Sequence, residues 1–167
     1  MGDAVQGDAV QGETVQGDAV QGADRIEREI LVDAPIERVW RLVSEPGWWI
    51  GDGDRSAQDI SRDGDLVTVD DPRYGRYLVL VVSADAPHHV SYRSSPLPGE
   101  PPAEGTSTLV EFVLAEQGGG TLVRVVESGF ASLAVPAERR AAMVEGNTAG
   151  WELQLGVAKR DAEHVRA

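Results

Sequence analysis

The spacing of apolar residues divides the chain after residue 24 into segments with different periods. From Arg25 to Val32 apolar and polar side chains alternate, which predicts a strand of the kind found at a sheet edge. Residues 36–43 place apolar side chains at i, i+3, i+4 and i+7, which predicts a short helix with one buried face. Pro35 suits the first position of that helix, because its missing N–H needs no partner there.

Strand patterns then follow one another with no long helical pattern between them. The predicted strands are residues 57–61, 66–70, 76–84 and 88–94, followed by a hairpin of 108–116 with 121–130. The hairpin turn falls at three consecutive glycines, 118–120, where positive φ angles are accessible without strain. Residues 95–105 are rich in proline and glycine and predict a loop.

One long helical pattern closes the chain, from Pro136 to about Val165. Its large and small apolar side chains share one face: Val144, Trp151, Leu155, Ala158 and Ala162. Gly146 and Gly150 lie one turn apart inside this pattern, where glycine usually permits a kink or close backbone packing. The order of elements predicts an α+β fold: a first strand, two short helices, and a curved antiparallel sheet wrapped around the long C-terminal helix.

Residues 2–21 repeat a pentapeptide, GDAVQ, with one GETVQ variant. A period of five matches neither a helix nor a strand, so the repeated valines cannot form one apolar face. The charged residues of the repeats are all acidic. We therefore predict a disordered acidic tail over residues 1–24 and a single domain over residues 25–167. A repeat that binds a partner is the alternative.

The charge balance narrows the classes of partner. The 167 residues include 28 acidic and 15 basic ones, a formal net charge of −13. This charge disfavours binding to nucleic acid and to anionic membranes. The chain has no cysteine, which excludes disulfides and thiolate metal sites. Because no stretch approaches the ~20 apolar residues of a membrane span and the acidic N-terminus is unlike a signal peptide, cytoplasmic residence is expected.

Three segments resemble a known superfamily. They are IEREILVDAPIERVWRLVSEPGWW near the start, GGGTLVRVVESGF in the hairpin and GWELQLGVAKR in the last helix. Together they are similar to the SRPBCC, or START-like, superfamily with its helix-grip fold. Within it, they most resemble the branch of homologues of the activator of heat-shock protein 90 ATPase. The resemblance covers roughly Ile26 to His164 and implies a deep, mostly apolar cavity between sheet and C-terminal helix.

Members of this superfamily include carriers of lipids and hydrophobic ligands, polyketide cyclases, and small bacterial proteins, some encoded beside repressors. Trp40 matches the family's Val-Trp position on the first helix, and Trp49 matches a tryptophan that often follows it. Gly150 and Trp151 match a Gly-Trp pair of the last helix. The repeat tail and the proline-rich loop depart from many relatives, which puts partner docking at that rim in doubt.

We expect a ligand to contact side chains that face the cavity: Trp40, Trp49, Tyr77, Tyr92, Phe112, Val125, Glu127, Trp151 and Leu155. Tryptophan suits such a lining because it offers a large apolar surface and one N–H donor, although each could equally be plain core packing. Glu127 shares a strand face with Val125. If that face points inward, Glu127 is a candidate general acid or base with a raised pKa; the alternative is an exposed or salt-bridged strand end.

Metal and cofactor signals are weak. The loop Gly51–Asp54 alternates Gly and Asp but lacks the further oxygen ligands of a calcium loop. His88 and His89 begin a strand and face opposite sides of the sheet, so they cannot be neighbouring ligands of one metal. Phosphate-binding and dinucleotide fingerprints are absent from the sequence. We expect neither a metal nor a cofactor.

Three functions fit these observations. The first is a non-enzymatic protein, monomeric or homodimeric, that binds a small hydrophobic or amphipathic molecule. The second is a cyclase- or hydrolase-like enzyme that uses Glu127 with a tyrosine or histidine. The third is a protein-interaction module of the co-chaperone or regulatory kind. A closed apolar cavity without convergent polar groups favours the first. A carboxylate within hydrogen-bond reach of His or Tyr inside that cavity favours the second, and an exposed apolar patch rather than a cavity favours the third.

Overall fold

The structure is a computed structural model that describes residues 24–103 and 105–164. Its elements, in chain order, are β1 (Arg25–Val32), α1 (Ile36–Val43), β2 (Asp59–Asp63), β3 (Leu66–Asp71), β4 (Gly75–Asp85), β5 (His89–Ser94), β6 (Thr108–Gln117), β7 (Gly120–Ser128), a short 3-10 helix (Phe130–Ser132) and α2 (Ala137–Glu163). The predicted tail lies outside these residues, except for Asp24. Within them, no helix has both the length and the apolar character needed to cross a membrane.

All strands belong to one antiparallel sheet with the order β1-β7-β6-β5-β4-β3-β2. The predicted strands therefore form, with slightly shifted ends, and the predicted α+β helix-grip fold is confirmed. The β6–β7 turn uses Gly118 and Gly119 at φ 59° and 87°, the positive values that a two-residue hairpin turn favours. Gly120 has another role, because a Cβ there would lie 2.5 Å from the carbonyl oxygen of Val32 in β1.

The region after β1 contains one α-helix and then turns. Helix α1 buries Ile36, Val39 and Val43, three of the positions that predicted it. Pro35 is its N-cap in an extended conformation, φ −68° and ψ 152°, and not its first helical residue. Residues 44–50 form turns in place of a second short helix, because proline at 46 and glycine at 47 follow the end of α1.

The core lies between the concave face of the sheet and α2. The predicted apolar face of α2 is buried: Val144, Trp151, Leu155, Ala158 and Ala162. On β7, alternate side chains are buried in the same core: Thr121, Val123, Val125 and Glu127. This face of β7 therefore points inward, towards α2.

The two outer strands of the sheet have different surroundings. Every residue of β2 is exposed. The other outer strand, β1, contacts α2, where Lys159 Nζ donates to the Leu31 carbonyl oxygen at 3.1 Å. Beyond the end of β1, the backbone N–H of Asp33 donates to the Glu163 carboxylate at 2.8 Å. The sheet is thus joined to the helix at one edge and open at the other.

Candidate ligand-binding site

A cavity of about 240 Å³ lies between the sheet and the middle of α2. Its lining combines aromatic rings with hydroxyl, amide and carboxyl groups: Trp49, Ile50, Gly51, Tyr74, Tyr77, Ser94, Ser95, Pro96, Val110, Glu127, Gly146, Asn147, Gly150, Trp151 and Gln154. An apolar wall with a few placed polar groups is usual for small-molecule sites. The volume lies below the ~300–1,000 Å³ typical of pockets for drug-sized ligands, so the cavity suits a small molecule.

Glu127 is the carboxylate of this cavity, and its side chain is buried, with 4% of its surface exposed. Its Oε1 accepts a hydrogen bond from Trp151 Nε1 at 2.8 Å, and its Oε2 accepts one from Thr108 Oγ1 at 2.6 Å. Asn147 Nδ2 donates to both oxygens, at 3.2 and 3.3 Å. Strands β6 and β7 and helix α2 therefore meet at one carboxyl group.

Burial raises the pKa of the Glu127 carboxyl, because the charged form loses its hydration. The hydrogen bonds from Thr108, Trp151 and Asn147 act in the opposite direction, since each stabilises the carboxylate. Within the described residues, no Lys, Arg or His lines the cavity or forms a salt bridge with Glu127. The carboxyl is thus desolvated without a positive partner.

Thr108 allows the carboxyl to satisfy its hydrogen bonds in both protonation states. Thr108 Oγ1 lies 2.6 Å from Glu127 Oε2 and 3.3 Å from the carbonyl oxygen of Ser94. When Glu127 is ionised, the threonine hydroxyl donates to it. When Glu127 carries a proton on Oε2, the acid donates to Thr108, whose own hydrogen can turn to the Ser94 oxygen. A proton can therefore enter or leave without orphaning the hydroxyl.

The Thr108→Val substitution is expected to raise the Glu127 pKa further, because it removes a donor that stabilises the carboxylate and keeps the side-chain shape. A hydrogen bond to a charged group contributes about 1.5–3 kcal/mol. A ¹³C NMR titration of the Glu127 carboxyl measures the change. Thr121→Val is the matched control, since the Thr121 hydroxyl donates to the Ala34 carbonyl at 2.8 Å and not to Glu127. A Thr108→Val titration curve that superimposes on the wild-type curve contradicts this role.

Aromatic rings form the apolar part of the site in two layers. Trp49 and Trp151 line the cavity with their ring centroids 5.7 Å apart. Behind them, Tyr92 and Phe112 are fully buried and pack against Trp49 at 5.2 and 5.6 Å. The Tyr92 hydroxyl donates to the Val43 carbonyl at 2.8 Å, which ties this second layer to the end of α1. The second layer fixes the orientation of the first.

Helix α2 contributes a wall with two gaps. Gly146 and Gly150 line the cavity, and a Cβ built on either one meets no heavy atom within 4 Å. They alternate along the helix with Asn147, Trp151 and Gln154, whose longer side chains also line the cavity. Part of the cavity therefore exists because these two positions lack side chains.

A hydrogen-bond network holds the loop that forms another part of the cavity wall. Gln154 Nε2 donates to the Gly51 carbonyl at 2.8 Å, and Gln58 Nε2 donates to the buried Asp71 carboxylate at 3.0 Å. The hydrogen bond from Gln58 is the main cause that lowers the pKa of Asp71. Asp71 also accepts the backbone N–H of Tyr74 at 3.2 Å, which positions that tyrosine at the cavity. The wall is therefore ordered by Gln154 of the lining together with Gln58 and Asp71, which lie outside it.

Four of the predicted ligand-binding residues line the cavity: Trp49, Tyr77, Glu127 and Trp151. Five others are placed elsewhere. Trp40 is half-buried against the core, whereas the remaining four are core side chains with at most 2% of their surface exposed: Tyr92, Phe112, Val125 and Leu155. Strand alternation indicated the inward face for Tyr92, Phe112 and Val125, and the helical stripe of α2 indicated it for Leu155; all four do point inward. They differ from Glu127 in lying behind the lining.

Several lining residues were not predicted, and the most informative are Asn147 and Gln154. Both are polar residues within the stripe that contains Val144 and Trp151, and Gln154 is buried. A polar residue on the buried face of a helix must find a partner, which is a signal present in the sequence. Ser94 and Ser95, at the end of β5, carried no comparable signal.

The histidine pair and the acidic loop lie away from this chemistry. His89 Nε2 is 3.3 Å from Glu111 Oε2 in the neighbouring strand, and neither histidine lines the cavity. In the acidic loop, the Asp52 carboxylate is 2.9 Å from Arg73 Nη1, so an arginine occupies the position that a cation would take. In residues 24–103 and 105–164, no group of His, Cys, Asp or Glu side chains could hold a metal ion.

Comparison with known proteins agrees with this architecture. The family described as activator of Hsp90 ATPase homolog 1-like protein matches residues 33–157. No curated protein matches the chain.

Solved structures with the same fold come from several bacteria. A protein from Mesorhizobium loti has a TM-score of 0.63 and 22% identity, over 86% of this chain and 99% of that one. The Aha1 dimer from Colwellia psychrerythraea has a TM-score of 0.61 and 17% identity, over 86% and 98%. A Bacillus halodurans protein has a TM-score of 0.57 and 24% identity, over 81% and 96%. At these identities the likeness establishes the fold.

Proposed function

The chain belongs to the family of activator of Hsp90 ATPase homolog 1-like proteins, and we propose that it binds a small hydrophobic or amphipathic molecule in the cavity between sheet and α2. The observation that carries this proposal is the cavity itself, whose lining combines aromatic rings with one buried, hydrogen-bonded carboxyl group. Its volume limits the ligand to a small molecule or to one part of a larger molecule. The predicted cytoplasmic location and the monomeric or homodimeric state stay predictions.

The hydrogen-bond partners of Glu127 favour binding over catalysis. An acid–base enzyme of this fold was expected to pair Glu127 with a histidine or tyrosine inside the cavity. The partners in the described structure are a threonine, an asparagine and a tryptophan, none of which titrates near neutral pH. Tyr77 lines the cavity, and burial raises its pKa, so its hydroxyl gives up a proton less readily. These groups suit the holding of a ligand.

The cavity also favours binding over a role confined to protein interaction. A protein-interaction module was expected to show an exposed apolar patch in place of a cavity. Here the rings of Trp49 and Trp151 line a cavity that also contains a buried carboxyl group. A co-chaperone or regulatory partner stays a prediction from the family resemblance.

Native mass spectrometry of the full chain, purified from its own host, tests the proposal. We expect a co-purified small molecule that is lost on denaturation. Tryptophan fluorescence provides a second test, since a bound aromatic molecule should quench Trp49 saturably. Trp49→Phe should lose part of the quenching, since Trp151 also lines the cavity, whereas the matched variant Trp40→Phe, outside the cavity, should keep all of it. A chain that carries no small molecule and shows no saturable quenching with neutral, cationic or anionic aromatic compounds contradicts the proposal.

A further inference from the structure

We propose that the ligand of this cavity is a small organic cation, a protonated amine on an apolar body, whose ammonium group pairs with the Glu127 carboxylate. The inference rests on the proposed binding function and specifies the ligand class. It is drawn from the charges, the hydrogen bonds and the rings of the cavity.

The Glu127 carboxyl has hydrogen-bond donors but no positively charged partner among the described residues. Glu127 is buried, and the other titratable side chains of the lining are Tyr74 and Tyr77. The groups that face Glu127 from β6 and α2 are the neutral side chains of Thr108, Asn147 and Trp151. A buried carboxylate is stable only when it is paired or well hydrogen-bonded. A ligand ammonium supplies the positive charge that the described residues do not.

The hydrogen bonds around Glu127 are arranged for the ionised carboxyl group. Trp151 Nε1 can only donate, and Asn147 is oriented with its NH₂ group towards the carboxyl. These two donors stabilise the ionised carboxyl group, whereas its burial acts in the opposite direction. A ligand ammonium adds stabilisation of the charged form that these donors alone do not supply.

The charge of the cavity disfavours an anionic ligand. A carboxylate or phosphate ligand offers no donor and places a second negative charge beside Glu127. The site therefore selects against anions.

The aromatic lining complements a cation as well as an apolar body. The ring faces of tryptophan and tyrosine attract ammonium groups by about 0.5–2 kcal/mol, depending on desolvation. Trp49, Trp151 and Tyr77 supply such rings in the lining. Outside the cavity, the Arg73 guanidinium already lies 5.5 Å from the ring centroid of Tyr74. The net charge of −13 attracts cations to the molecule and repels anions.

A set of three probes of nearly equal size tests the ligand class: benzylamine, benzyl alcohol and benzoate, measured by isothermal titration calorimetry on the full chain at pH 7.5. We expect benzylamine to bind at least about tenfold more tightly than benzyl alcohol, a difference of about 1.4 kcal/mol, and benzoate to bind most weakly.

Binding of benzylamine and benzyl alcohol to the Glu127→Gln variant is the second part of the test. The substitution should reduce benzylamine affinity at least about tenfold and benzyl alcohol affinity by a smaller factor, because the cation alone loses an opposite charge. Benzyl alcohol binding as tightly as benzylamine to the wild-type chain overturns the inference and leaves the proposed function standing. Failure of all three probes to bind, with no co-purified molecule in native mass spectrometry, overturns both. The wild-type comparison is decisive even if the variant fails to fold.

Discussion

The Gly150→Leu substitution is expected to abolish binding of small molecules while raising the free energy of unfolding by about 0.5–1 kcal/mol. Position 150 lines the cavity, and a Cβ built there has no heavy atom within 4 Å, so the new side chain projects into empty space. Leucine also favours the helical conformation that glycine disfavours. Binding is therefore lost while stability increases. Such opposite effects are expected where a glycine keeps a binding site open and lowers the helix propensity.

Gly156 provides the matched control on the same helix. It is exposed, it does not line the cavity, and a Cβ there also meets nothing within 4 Å. Gly156→Leu should give the same gain in unfolding free energy, measured by urea denaturation, and leave binding unchanged. If Gly150→Leu binds the probes as the wild-type chain does, the cavity is not where they bind.

The second large effect concerns the pH dependence of stability. Burial raises the pKa of Glu127 in the folded chain above its ordinary value of 4.5, so the folded state binds this proton more tightly than the unfolded state. The resulting stabilisation is fully present below pH 4.5 and is lost as the pH rises through the folded pKa. Each unit of pKa difference corresponds to about 1.4 kcal/mol.

Glu127→Gln removes this titration and keeps the side-chain shape. We expect the unfolding free energy of the wild type minus that of the variant to fall as the pH rises above 4.5, and to level off above the folded pKa. Urea denaturation of both proteins across the pH range measures it.

Glu163→Gln is a control of opposite sign, because hydrogen bonds from Lys159 and from the Asp33 backbone lower the pKa of Glu163. The stabilisation from Glu163 is present above its ordinary pKa and is lost as the pH falls. The unfolding free energy of the wild type minus that of Glu163→Gln should therefore increase with pH. A difference for Glu127→Gln that does not change with pH would show that Glu127 has the same pKa in both states.

The fold could be predicted from the sequence because its determinants are local. Alternation defined the strands, and glycines at 118 and 119 defined the turn between β6 and β7. The missed feature, the turns at 44–50, depends on where α1 ends, which proline and glycine indicate only approximately. The apolar face of α2 was predicted because its spacing is visible along the chain.

The site could be predicted only in part, because it depends on contacts between distant segments. Alternation on β7 indicated that Glu127 shares the inward face of Val125. The contact between Glu127 and Trp151 depends on the position of α2 along the sheet. Local sequence patterns carry no information about that position. For the same reason, the sequence did not indicate that Tyr92 packs behind Trp49. Tyr92 faces inward as predicted, but it is fully buried and does not line the cavity.

Both edge strands of the sheet have features that oppose pairing with a strand of another molecule. A free edge strand can pair with another chain and so start aggregation or domain exchange. Exposed β2 carries Asp59, Arg62 and Asp63, whose charges oppose such pairing. On β1, the Lys159 ammonium already donates a hydrogen bond to the Leu31 carbonyl oxygen. Two copies of this chain would therefore have to meet through their faces or loops, and a continuous sheet running across a dimer is disfavoured.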